Sequence, residues 1–321
     1  MTMDYQYSDS IARQLLIDPV NEKANKLCIL TSQATPSMVS WLLKSYEEMG
    51  IANVVIELII SGVVNDGIDE LTYNGFRDLH CARYSMTWNK FSCSYLFQPP
   101  VPQKNYYIWM NDEVPVKAFE CLNELTQQSM LRQQNNFIQE CSALNAYRIF
   151  QKAVGCSIYC NHSEVDDYII VRSHSASITP SIGEENRIHL SLLARGGETG
   201  SRSGLNWGQR NNRNKNEAYI PLPIKIARTN FFPLNKQHFL VVTDDHHTLQ
   251  LRVEQQNDMA ITTPASNALL GEYFRNRLGL ANGSYIQKKH LLEYGRTDVM
   301  FQKIDEEQYY MDFSTDKHIN T

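Results

Sequence analysis

Cysteine is absent from the C-terminal half of this 321-residue chain. All seven lie earlier, at Cys28, Cys81, Cys93, Cys121, Cys141, Cys156 and Cys160. The odd count and unpaired spacing exclude a disulfide framework. Also missing is any apolar run approaching the roughly 20 residues of a membrane helix. The opening Met1-Thr-Met-Asp-Tyr-Gln lacks the basic and apolar regions of a secretory signal, so a cytosolic location is expected. Net charge is −5, and no basic tail of the kind that binds nucleic acid indiscriminately is present. Internal repeats are absent too.

What remains is an ordinary globular composition, 42% apolar and 20% charged, at a length that favours two domains. The first half alternates strand and helix signals. Lys26–Thr31 and Val54–Ile60 read as buried strands, and Pro36–Met49 as a helix ending at Gly50. A helix is expected over Asp66–Arg77. Aromatic-rich strands follow within 81–98, at Tyr106–Trp109 and at Ala118–Leu122. Helical spacing returns at Leu122–Met130 and Tyr147–Ala153, and Asp167–Arg172 reads as a strand. This order predicts an α/β domain over residues 1–175 with a partly parallel, mixed sheet. A Ser, Pro and Gly-rich linker spans Ser173–Glu185. Beyond it, in 186–321, short β runs alternate with turns: Arg187–Leu193, Ala218–Ile220, His238–Thr243, Leu249–Glu254, Ile286–Leu291, Val299–Lys303 and Tyr309–Phe313. Interrupted by one helix at Asn267–Leu278, they predict a mostly-β barrel or sandwich.

The most informative stretch is Leu192–Pro223. Gly196, Gly197, Gly200 and Gly204 loosen its backbone and allow close approach to a partner. Arg195, Arg202, Arg210, Arg213 and Lys215 oppose a single acid, Glu198, while Asn206, Gln209, Asn211, Asn212 and Asn214 surround Trp207. Guanidinium forks fit phosphates and guanine edges, and amides pair with adenine. A basic, amide-rich arm between two strands therefore suits a DNA groove; composition alone leaves a disordered surface loop equally open.

Several strings in one order carry a resemblance. Gly204-Leu-Asn-Trp-Gly-Gln, Asn216-Glu-Ala-Tyr-Ile-Pro-Leu-Pro, Phe231-Phe-Pro, Phe239-Leu-Val-Val-Thr-Asp-Asp, Leu270-Gly-Glu-Tyr-Phe-Arg-Asn-Arg-Leu-Gly-Leu and Tyr294-Gly-Arg-Thr resemble the C-terminal half of the NgoFVII-type restriction endonucleases over about residues 188–314. The resemblance implies a seven-stranded pseudobarrel of the B-three type that grips duplex DNA between two arms. The first arm would be Gly200–Lys215, with Arg202, Ser203, Asn206, Trp207, Gln209, Arg210, Arg213 and Lys215 at the DNA. Trp207 serves either as a wedge or as an anchor at the arm's base. The second arm would be Ala260–Asn267, with Thr262, Thr263, Ser266 and Asn267; a helix-cap role for this segment is the alternative. Arg275 and Arg277, on the helix, suit packing or acid pairing.

The N-terminal half resembles the same family more loosely, and so implies a phospholipase-D-like domain that pairs with a second copy. That chemistry uses a His-x-Lys strand motif and a downstream Asn, needs no metal and implies no cofactor. Here the aligned strand, Gln103-Lys-Asn-Tyr-Tyr-Ile-Trp, carries Gln103 and Asn105 in place of the histidine and lysine. Glu124 replaces the asparagine, and a carboxylate there repels phosphate. Glu140 matches a position that orients the missing histidine. None of the nine histidines has lysine two residues on, and the Asp/Glu-x-Lys pattern of metal-dependent nucleases is equally absent. His80, His162 and His174 read as ordinary core or surface residues. Cys156, Cys160 and His162 form an incomplete metal corner, and Asp244-Asp-His-His reads as a hairpin turn.

The expectation is a sequence-specific binder of double-stranded DNA in a restriction–modification system, with a degenerate nuclease site. It would act as a scaffold or specificity subunit, as a homodimer or beside a catalytic nuclease subunit, with a cognate methyltransferase and no membrane association. An active type II endonuclease and a DNA-binding regulator are the alternatives.

Overall fold

A computed structural model describes residues 10–81, 88–131, 138–173, 186–254 and 259–315. The chain divides into two compact units, residues 1–178 and 179–321. Most of the expected linker, 174–185, with His174, lies outside the described residues, as do 82–87 of the expected strand region.

In the first unit a π-helical turn, Arg13–Ile17, leads through α1 (Asp18–Asn21) to β1 (Lys26–Thr31). Helix α2 (Pro36–Met49) begins where the Thr35 side chain accepts the Met38 amide, with Pro36 in the first turn. Strand β2 (Val55–Ile60), α3 (Val63–Asp66), the two-residue β3 (Ile68–Asp69) and α4 (Glu70–Cys81) follow. Then come β4 (Lys90–Leu96), β5 (Asn105–Asn111), β6 (Val114–Cys121), α5 (Gln127–Met130), β7 (Gln139–Cys141), α6 (Ala143–Val154), β8 (Ser157–Tyr159), α7 (Val165–Tyr168) and β9 (Val171–Arg172). The main sheet runs β7-β6-β5-β1-β2-β4-β8. Its centre, β1, β2 and β4, is parallel and its flanks are antiparallel.

Alternate residues of β1 serve two cores. Leu27 and Ile29 pack with Trp41 and Leu42 of α2 and Phe76 of α4; Cys28 and Leu30 pack with Ala146 and Phe150 of α6. Burial on both faces explains the unbroken apolar runs, since period-2 alternation survives only where one face meets water.

Three expectations for this unit are corrected. The 66–77 helix begins at Glu70, because Ile68–Asp69 pairs instead with Val171–Arg172. Helical structure within 122–130 shrinks to α5, capped by Thr126, because the Leu125 backbone is held by Gln33 and Thr35. Asp167–Arg172 is a helical turn running into two strand residues, which leaves Tyr168 and Ile170 exposed.

The second unit comprises β10 (Arg187–Ser191), a 3-10 segment Gly204–Gln209, β11 (Ile220–Pro221), α8 (Ile224–Ala227), β12 (His238–Thr243), β13 (Thr248–Glu254), β14 (Ala260–Thr262), α9 (Asn267–Arg277), α10 (Lys288–Tyr294), β15 (Asp298–Lys303) and β16 (Gln308–Asp312). Its sheet order is β10-β15-β16-β12-β13-β14-β11, antiparallel except for β12 with β16. The end strands β10 and β11 lie against each other, so the sheet curls into a nearly closed barrel. Phe232, Phe239, Phe301 and Tyr309 stack at its centre.

The Ile286–Leu291 strand expectation is overturned. Gln287 and His290 form a reciprocal capping box that starts α10 at Lys288, and Leu291 is the fully buried residue of that helix. Ile286 is buried as a loop residue. Asp244–His247 is the β12–β13 turn, as read from sequence, with the His247 amide donating to the Thr243 hydroxyl.

Candidate nucleic-acid interface

The arm between β10 and β11 is folded and braced, not loose. Its 3-10 segment is anchored by Asn206, which has 0% exposure. The Asn206 amide donates to the Gly200 and Ile286 carbonyls, at 3.0 and 2.7 Å, and accepts the Ile286 amide at 2.9 Å. Gln209 donates to the carbonyls of Lys215 and Gly283. Between them, the Gly208 amide bonds the Glu217 carbonyl and closes a loop over residues 208–217. Glycine is required there, because a Cβ on Gly208 would sit 2.0 Å from the Asn214 carbonyl oxygen.

Under this loop lies Arg275, read from sequence as a packing or pairing residue of the helix but not as a brace of the arm. Arg275 of α9 is wholly buried, and its guanidinium donates to five backbone carbonyls: Ser284, Gly271, Asn216, Lys215 and Leu205. Burial pulls its pKa below the ordinary arginine value, opposed by nearby Glu272. Gly271, one turn back, lets the arm lie on the helix; a Cβ there would meet the Asn216 carbonyl oxygen at 1.7 Å. The available signal was spacing, since Ala268, Gly271 and Arg275 share the buried side of α9.

Above the brace the loop presents its cations. Arg202, Arg210, Arg213 and Lys215 are exposed, with Asn211, Asn212 and Asn214. Half-buried Trp207 organises two of them: the Arg210 guanidinium lies 3.7 Å from the ring centre and that of Arg213 4.8 Å. Tyr219 packs edge-on to the same indole. Arg210 is further held by its Nε donating to the Arg202 carbonyl, Lys215 by its ammonium on the Arg210 carbonyl, and Arg213 by an ion pair with Glu217. Ser203 is half-buried, and its carbonyl accepts the Asn206 amide. Trp207 is thus an anchor at the arm's base and a platform for two guanidiniums. Asn206 and Gln209, expected at the DNA, have their side-chain amides engaged by backbone of the arm and of the segment before α10.

The second expected arm includes a strand end and a helix cap. Thr262, which ends β14 opposite Arg252, and Thr263, which follows it, are both buried. Their hydroxyls donate to Glu254 and to the Ser266 carbonyl. Ser266 caps α9 by accepting the Ala268 amide, and the Asn267 carbonyl accepts the Ala218 amide. Of the helix arginines, Arg277 pairs with Asp244 and Asp245. Burial opposes its charge, yet the Asp244 bond holds its pKa above the ordinary value.

In the first unit, two of the four degenerate positions meet at Ser32, at the carboxyl end of β1. Buried Asn105 accepts the Ser32 amide at 2.8 Å and donates to the Asn123 carbonyl at 2.9 Å. Glu124 accepts the Ser32 hydroxyl at 3.2 Å. Gln103 is exposed beside a 480 Å3 cavity that Lys104 and Lys152 also line, and Glu140 is exposed on β7 opposite Phe119. His80 accepts the Cys93 amide and His162 the Glu164 amide. Cys156 faces Gln98, while buried Cys160 turns toward the Phe76 carbonyl, so the Cys-Cys-His corner does not converge.

Two family models match the chain. Residues 9–167 match the NgoFVII restriction endonuclease N-terminal PLD domain, and residues 181–305 the NgoFVII C-terminal B3-like DNA-binding domain. The chain belongs to the NgoFVII restriction-endonuclease family. A search of curated proteins finds no match. The NgoFVII-family assignment agrees with the mixed sheet of the first unit and the nearly closed barrel of the second. Among the described residues, no helix is long and apolar enough to cross a membrane.

Proposed function

We propose that this protein reads a short duplex DNA sequence with the arm of its B3-like barrel, and that its own phospholipase-D-like site no longer cleaves. It would serve a restriction–modification system as a scaffold or specificity subunit, pairing through its N-terminal unit with a second copy or with a catalytic chain. The observation that carries the reading is the arm itself: four exposed cations, two of them stacked on one indole, stand on a rigid base. Because Arg210 is fixed through its Nε and its face, its two terminal nitrogens project in a set direction. That geometry suits the paired acceptors of a guanine edge. Arg202 and Lys215 suit phosphates, which position the protein without reading sequence.

The loss of chemistry rests on Ser32. A phosphodiester transfer of this type needs a nucleophilic imidazole and a neighbouring cation. At the matching place, Asn105 offers an amide that is engaged on both sides, and Glu124 adds a negative charge that repels phosphate.

Incubation of the purified protein with plasmid, first in EDTA and then in magnesium, tests this directly. The expected outcome is binding without nicking in either buffer. Cleavage by the protein alone would establish an active endonuclease instead. Cleavage only after a partner chain is added supports the subunit role, and binding without cleavage even then favours a regulator.

A further inference from the structure

We infer that Arg275 is a positioning residue for DNA recognition: buried between α9 and the arm, it sets the shape of the reading arm, so sequence preference depends on a side chain that DNA does not touch. The inference rests on the DNA-reading role of the arm proposed above.

A guanidinium has five N–H donors. Here Nε donates to Ser284 at 2.9 Å, one terminal nitrogen to Gly271 and Asn216 at 3.0 and 3.4 Å, and the other to Lys215 and Leu205 at 3.1 and 3.4 Å. Every acceptor is a backbone carbonyl. They come from α9 itself, from the segment before α10, from the 3-10 base of the arm and from the end of its exposed crest. One side chain therefore ties together segments as much as 70 residues apart. The neighbouring acid, Glu272, directs its carboxylate to the Asn216 amide, and Asn216 in turn accepts the Gly283 amide. Asn206 repeats the device from the other side, joining Gly200 to Ile286.

Burying a cation without a bonded carboxylate is costly unless each donor is satisfied. A barrel core needs no charge, and an apolar residue at position 275 would satisfy ordinary packing. What an apolar residue cannot do is hold Leu205, Lys215 and Asn216 at fixed distances. Those are the two feet of the loop that carries Trp207, Arg210 and Arg213. A reading loop fixed before it meets DNA loses little conformational freedom on binding and rejects wrong base pairs, because it does not remould around them.

Lysine keeps the charge but has three donors in place of five, so Arg275→Lys is the informative variant. Selection from a randomised duplex pool gives the preferred site of the wild-type protein. Competition at low temperature then compares affinity for that site with affinity for random duplex. We expect the preference ratio to fall about tenfold or more in Arg275→Lys, roughly the cost of one mismatched base pair. The salt slope should persist, because the exposed cations are intact. A folded Arg275→Lys protein with an unchanged ratio would reduce Arg275 to a structural brace and overturn the inference.

Gly271→Ala repeats the test if the lysine variant does not fold, by driving the Asn216 carbonyl off the guanidinium. Wild-type hydrogen exchange needs no variant. The Gly208 and Glu217 amides should be protected before DNA is added, and exchange at open-loop rates would sink the idea. Arg202→Ala/Arg210→Ala serves as the control. If that protein binds duplex normally, the DNA-reading role of the arm fails, independently of Arg275.

Discussion

Two buried asparagines mark the difference between the halves of this molecule. Asn105 and Asn206 do the same work, each gripping distant backbone through both ends of its amide. Beside Asn105 in the chain the exposed polar groups are the Gln103 amide and Lys104, whose ammonium is paired with Glu120, and no imidazole stands at either degenerate position of the strand. Around Asn206 the brace supports exposed arginines and a lysine. If the first unit has lost its chemistry as proposed, its bracing residues have stayed while the reactive tips changed. Function is therefore read from what the brace leaves exposed.

The sharpest way to break that comparison is to strip the exposed groups from one side only. Arg202→Ala/Arg210→Ala should weaken duplex binding on the order of a hundredfold, since the Arg210 base contact contributes about 1–3 kcal/mol and the Arg202 phosphate contact is lost with it. Fluorescence anisotropy at fixed salt measures it, and wild-type affinity in the double variant would refute the interface. The reciprocal change is Asn105→Ala. It leaves the Ser32 amide and the Asn123 carbonyl without this partner, so unfolding stability should drop by about 1–3 kcal/mol. DNA affinity should stay near wild type; an equal loss of both would mean the Ser32 cluster also touches DNA.

Trp207→Ala sharpens the view of the arm. It removes the ring under two guanidiniums, each stack contributing about 0.5–1 kcal/mol. Binding should weaken several-fold and lose part of its sequence preference, as read by the same competition against random duplex. The smallest effect expected is on acid response. Burial opposes charge on Asp245 and Asp312, but Thr243 and Arg277 hold the first below the ordinary aspartate range, and Ser314 and Arg296 the second. Their contribution to stability is therefore present above about pH 4, the ordinary aspartate value, and is lost as pH falls through the depressed values. Urea unfolding between pH 6 and pH 2, roughly spanning that window, should flatten in Asp312→Asn. An unaltered pH profile would show that Arg296 gains nothing from the pair.

Much of this was legible in the chain. The parallel core announced itself as unbroken apolar runs, and α2 and α9 through their first-turn signals and periodicity. Three-residue strands such as β7 and β8 carry too little pattern to be seen. Ile286–Leu291 misled because two apolar ends flank a Gln-Lys-Lys-His stretch whose meaning is a helix cap. The arm's charge was plain, but its stiffness was not. Asn206 bonds Ile286, 80 residues away, and Arg275 bonds Leu205, 70 residues away. Both use backbone carbonyls, which every residue possesses and which therefore leave no compositional trace. Thr262 and Thr263 resembled a polar arm for the opposite reason: their hydroxyls are visible in sequence, and the Glu254 and Ser266 partners that occupy them are not.

The bond from the Gly208 amide to the Glu217 carbonyl fastens the arm below its crest. Residues 210–215 project beyond that fastening, and no strand pairs through them. If the arm reads DNA as proposed, substitutions there should alter the message read while no strand of the barrel is touched. On that reading, a lineage could shift its target site largely by rewriting these six letters, with the barrel strands left as they are.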